Sequence, residues 1–131
     1  MDKYIQMEKN TVSSKGQLKE SACVQFANPE GTGVRVMFVG NSITLHGVRP
    51  EVGWFHCWGM AASTKDKDYV HCLMRAIKEK DSDAAFCICQ VAGWERNYRE
   101  GEKILDIYEQ AREFEADIIV MRFVENCPKD D

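Results

Sequence analysis

The chain has 131 residues and a mass of 15.0 kDa, and its hydrophobic content of 44% suits one domain with a real core rather than two. With 17 basic against 21 acidic residues and no sustained basic run, it lacks the long-range attraction to phosphate that nucleic-acid binders use, which excludes nucleic acid as the expected partner. No apolar stretch approaches the roughly 20 residues that span a bilayer, and MDKYIQMEKN has no signal-peptide core, so a soluble, cytoplasmic protein without a membrane partner is expected.

Residues 1–20 are polar and are expected to form a flexible N-terminal segment ahead of an α/β domain at 21–131. In SACVQFA the apolar residues alternate through Ala22, Val24 and Phe26, which predicts a short edge strand, and NPEGTG then reads as a turn. Val34–Val39 (VRVMFV) is apolar except for Arg35, the pattern of a strand buried on both faces. It runs into Gly40, Asn41, Ser42 and Thr44, small or turn-tolerant residues where a strand must bend sharply.

Gly47–Ser63 is irregular but holds Trp54, Phe55, Trp58 and Met60, which either cap the core or line a pocket. Asp66 or Asp68 is suited to cap a helix at Tyr69–Lys80, where Val70, Leu73, Met74 and Ile77 fall at helical spacing. Ala84–Ala92 predicts a second buried strand, ending at Gly93. Ile104, Ile107, Tyr108, Ala111 and Phe114 form one stripe of an expected crossover helix over Tyr98–Phe114. A third apolar strand, IIVMRFV, then stops at Glu125, Asn126, Cys127 and Pro128.

Strand, helix, strand, helix, strand implies right-handed crossovers and a parallel sheet, and ligands of such sheets bind beyond the carboxyl ends of the strands. Those ends present Ser42, Gly93 and Asn126: a hydroxyl, a backbone amide and a carboxamide, the parts of an acyl-transfer site with a nucleophile and two oxyanion donors. Taken singly, each reads as a turn or cap residue. A phosphate-binding loop is excluded because Gly40 and Gly47 are too far apart and no Gly-Lys-Ser/Thr follows. The six cysteines are scattered and read as reduced thiols, and the Cys–His neighbours at 56/57 and 71/72 point in different directions on a helix, so neither a metal nor a cofactor is expected.

With GNSIT at 40–44, a glycine after the second strand and an asparagine after the third, the chain resembles the N-terminal part of an SGNH hydrolase, the GDSL esterase/lipase family. The resemblance runs from Val34 to Asn126. It implies a three-layer, flavodoxin-like parallel sheet with flanking helices. It also implies hydrolysis of carboxylic esters, acetyl esters among them, through a Ser42 acyl-enzyme. Gly93 and Ser42 would offer backbone amides and Asn126 its side chain to the oxyanion, with Asn41, Trp54, Trp58 and Trp94 around a small ester substrate. Asn41 stands where the GDS form has aspartate, and Val124-Glu125-Asn126-Cys127 departs from the Gly-x-Asn-Asp of the third block.

The family's Asp-x-x-His block, its acid and base, follows nearer the C-terminus and is not expected within these residues; His46, His56 and His71 are poor substitutes. The domain is therefore expected to be truncated after the third core strand, leaving that strand as an open edge for self-association or for pairing with a complementary fragment. The alternative is a catalytically inactive fragment or pseudoenzyme acting as a ligand-binding or interaction domain.

Overall fold

A computed structural model describes residues 18–129. Its elements are strands β1 (Val24–Ala27), β2 (Arg35–Gly40), β3 (Ala85–Gln90) and β4 (Ile118–Arg122), with helices α1 (Tyr69–Lys80), α2 (Ala92–Asn97) and α3 (Glu109–Glu113). They form a mixed α/β fold around one open sheet of four strands, in the order β1-β3-β2-β4.

β2 lies between β3 and β4 and is parallel to both, whereas β1 runs antiparallel to β3. The expectation of a wholly parallel sheet is thus corrected. Alternation in SACVQFA specifies a strand but not its direction, and β1 enters the sheet by a short turn with no crossover helix.

Alternate side chains of the central strands feed two cores. Val36, Phe38, Phe86 and Ile88 pack with Val70 and Met74 of α1, while Met37, Cys87 and Cys89 pack with Tyr108, Ala111 and Phe114. Helical segments therefore cover both faces. Full burial of Phe38, Phe86 and Phe114 contributes about 2 kcal/mol each from apolar area alone. Arg35, the polar exception in β2, is buried with its Nε donating to the Phe114 carbonyl at 2.9 Å and its guanidinium 4.1 Å over the Phe114 ring, which ties the end of α3 to the sheet.

α1 spans the expected residues, and Asp68 is its cap, accepting from the His71 amide at 2.7 Å. The single helix expected over 98–114 is replaced by a 3-10 segment, Tyr98–Tyr108, broken at Gly101 with φ 79°, and then by α3. The break precedes the apolar stripe, which begins at Ile104, so the stripe's periodicity does not reveal it, and Ile107 ends up half exposed. β4 is an edge strand whose Ile118, Ile119 and Met121 are exposed. The segment expected to be flexible, 1–20, lies outside the described residues through position 17; Leu18 packs on the α3-side core and the Lys19 amide donates to Gln110 Oε1 at 3.0 Å.

Candidate functional site

At the end of β2 the chain reverses over Gly40. A Cβ there would lie 1.9 Å from Thr44 Oγ1 and 2.6 Å from the Arg122 carbonyl, so only glycine lets the turn fold back against β4. Asn41 Oδ1 accepts from the Ile43 amide at 3.3 Å, and the Asn41 carbonyl accepts from the Thr44 amide at 3.0 Å and the Leu45 amide at 3.1 Å. This turn holds Ser42 half-buried, with its carbonyl bonded to the Met60 amide at 2.8 Å. Gly59 fits because its Cα nearly touches the same turn: a Cβ would stand 2.0 Å from the Ile43 carbonyl. The aromatic loop therefore packs directly on the serine turn.

The Val91 amide donates to the Gly40 carbonyl at 2.7 Å, joining the end of β3 to the end of β2. Gly93, expected at the end of the second strand, is the second residue of α2. Two residues on, Glu95 is fully buried and its carboxylate is a hub. Oε2 accepts from the Val124 amide at 2.7 Å, the Asn126 amide at 3.2 Å and Asn41 Nδ2 at 3.5 Å, and Oε1 accepts from Asn126 Nδ2 at 3.0 Å. Burial alone would push the Glu95 carboxyl up, but hydrogen bonds from the Asn126 side chain and amide, the Val124 amide and Asn41 outweigh it and hold the group below its ordinary value.

Residues 124–126 are bent unusually. Val124 has φ 122°, a region that glycine favours and a β-branched residue avoids. Asn41 Nδ2 also donates to Glu125 Oε2 at 2.7 Å, and that carboxylate takes Arg122 Nη1 at 2.7 Å. Asn41 and Asn126 are thus joined through one side chain, Glu95, two residues after Gly93 on α2; it carries no signal in the sequence, since an acidic residue in WERNY reads as solvated.

The aromatic residues divide between two places. Trp54, His56 and Trp58 form one cluster, with His56 stacked on Trp58 at 4.1 Å and Trp54 edge-on to both, and Trp54 Nε1 donates to the His46 carbonyl at 3.2 Å. Trp94 instead contacts Phe123 edge-on at 5.6 Å and lines an apolar cavity of about 580 Å³ with Met37, Val39, Cys89, Tyr108 and Met121. Trp54 and Trp58, expected beside Trp94 in one pocket, do not line this cavity. Tyr108 Oη is buried beside the Trp94 amide without a well-formed hydrogen bond, and burial pushes it up to about 12.

The three histidines are engaged locally. His46 Nδ1 is 2.7 Å from the Gly47 carbonyl, His56 lies on Trp58, and His71 Nδ1 is 2.7 Å from Asp68 Oδ1. Asp68–His71 has Asp-x-x-His spacing, but Asp68 spends its oxygens on capping α1 and on the Gly59 amide at 3.0 Å. His71 faces a recess with Lys65, Asp66, Arg75 and Lys78. All six cysteines are free thiols, and among the described residues no cluster of three or more His, Cys, Asp or Glu is arranged to hold a metal ion. No described helix is long and apolar enough to cross a membrane. No protein-family model matches the chain, and neither a curated protein nor a solved structure matches it.

Proposed function

We propose that the chain carries the nucleophile and oxyanion half of an SGNH-type serine hydrolase, on a flavodoxin-like α/β sheet, acting on small carboxylic esters such as acetyl esters. The observation that carries this reading is the Glu95 carboxylate, which bonds to both the serine turn, through Asn41, and the Asn126 loop. Three sequence blocks more than 80 residues apart at their extremes thereby meet at neighbouring strand ends, where ligands of open α/β sheets bind.

In this mechanism Ser42 Oγ attacks the ester carbonyl carbon. Charge develops on the carbonyl oxygen, which the Ser42 and Gly93 amides and the N–H of Asn126 not given to Glu95 stabilise. The alcohol leaves with a proton, and water then hydrolyses the acyl-serine. The proton of Ser42 needs a base; His46 Nδ1 faces the Gly47 carbonyl, His56 stacks on Trp58 and His71 Nδ1 faces Asp68, so this reading takes the base from the Asp-x-x-His block that the resemblance implies. The free cysteines accord with a reducing, cytoplasmic setting. Neither nucleic acid nor a membrane enters this reading.

The exposed apolar β4 edge favours a second reading, an inactive domain that binds a partner or ligand. Turnover of 4-nitrophenyl acetate decides between them. The esterase reading expects hydrolysis that Ser42→Ala abolishes, a loss of several orders of magnitude. Hydrolysis indifferent to that substitution, or no hydrolysis beside intact ligand binding, rejects it.

A further inference from the structure

We infer that Glu95 is the positioning residue of the candidate site: its buried carboxylate clamps residues 124–126, with Val124 in a glycine-like backbone shape, and fixes the direction of the Asn126 carboxamide. The inference deepens the esterase reading and rests on it only for the meaning of Asn126; the clamp stands on geometry alone.

Three observations carry it. The first is that Glu95 is completely buried, yet its hydrogen bonds come from neutral amides, two of them backbone N–H groups of the same short segment. A buried carboxylate without such donors is costly, so its placement and the shape of residues 124–126 are mutually dependent.

The second is Val124. At φ 122° it occupies backbone space that a β-branched residue adopts only when its surroundings over-determine it. The short bond from its own amide to Glu95 Oε2, at 2.7 Å, supplies that determination.

The third is the division of labour on Asn126. Its backbone amide goes to Oε2 and its Nδ2 to Oε1, a two-point grip that sets both the backbone and the side-chain torsion. One Nδ2 proton is taken by Glu95, so the other is held in a defined direction. A carboxylate suits this grip because it only accepts. A glutamine would turn an –NH2 toward donors and break the grip without changing size.

The test uses the full chain as wild type, Glu95→Gln, Val124→Gly and the double variant. It reads thermal midpoints and the 15N–1H pair of the Asn126 carboxamide, assigned with Asn126→Asp. Glu95→Gln is expected to lower the midpoint by about 5–10 °C. It should also speed exchange of the bonded Asn126 proton by about tenfold or more.

Val124→Gly is expected to raise the midpoint and keep the Asn126 signal shielded. In the double variant the loss due to Glu95→Gln should shrink, because the backbone no longer needs holding. Additive shifts with an unchanged Asn126 signal in Glu95→Gln overturn the clamp. Should Glu95→Gln fail to fold, the Val124→Gly chain still decides: an unchanged or lowered midpoint overturns the proposal. Ester turnover measured alongside keeps the two readings separate, since a clamp demonstrated in a chain without Ser42-dependent hydrolysis upholds Glu95 as positioning residue and rejects only the esterase.

Discussion

Replacing a valine by glycine in an exposed segment ordinarily destabilises a protein, but Val124→Gly should stabilise this one. Val124 has φ 122°, and residues held in such sparsely populated backbone regions cost about 1–3 kcal/mol, with β-branched side chains at the upper end. Glycine removes that cost and adds about 0.5–1 kcal/mol of chain entropy lost on folding. The side chain forfeits little, because Val124 is 60% exposed: less than half of the roughly 1.5 kcal/mol that full burial of a valine gives at the low end. With strain near 2.5 kcal/mol, the balance is a gain of about 1 kcal/mol, a rise in midpoint of about 3–5 °C for a domain of this size. Circular-dichroism melts of both proteins measure it. Val48→Gly is the control, since Val48 is equally exposed at 60% and is not among the residues with positive φ; its midpoint should fall. A fall in Val124→Gly matching that of Val48→Gly would refute the strain argument.

Two further predictions concern charge and edge. Glu95 is held below its ordinary value in the folded state, so the stability it contributes is fully present above the unfolded carboxyl value of about 4.3 and is lost as pH falls through the lower folded value. Asn41→Asp places a third carboxylate against Glu95 and Glu125, raising the cluster's folded values, and should reverse the sign: this variant gains stability as pH is lowered from 7 to about 5 while wild type does not, measured by urea midpoints across pH. At β4, the apolar edge should cause concentration-dependent self-association that Met121→Lys, at a 66% exposed position, suppresses in sizing chromatography. A wild-type chain that stays monomeric at high concentration counts against edge pairing.

The parts of the fold legible in the sequence are those set by local pattern. VRVMFV and AAFCIC are strands because both faces are buried, and Tyr69–Lys80 is a helix because its apolar spacing follows the Asp68 cap. What depends on distant partners was not legible. The direction of β1 is settled by its pairing with β3, 59 to 65 residues later. The break at Gly101 lies three residues before the apolar stripe begins at Ile104, where the spacing carries no information about it, and its φ of 79° marks it. Ser42 was legible from the turn residues around it. Glu95 was not, because its burial depends on donors 29 and 31 residues downstream and 54 upstream.

On the esterase reading proposed above, that same residue gives a common cause for two departures from the family's motif. Where the pattern has aspartate, Asn41 faces Glu95 Oε2 at 3.5 Å and Glu125 Oε2 at 2.7 Å, so the position calls for a donor and a carboxylate would meet like charge. Where the pattern has glycine, Val124 keeps the backbone shape that glycine would adopt freely, held by the bond from its amide to Glu95. Neither substitution therefore argues against the proposed site. With a buried acceptor at 95, a carboxamide at 41 becomes the better residue and a strained valine at 124 becomes tolerable, so the three positions should be substituted as a set rather than singly.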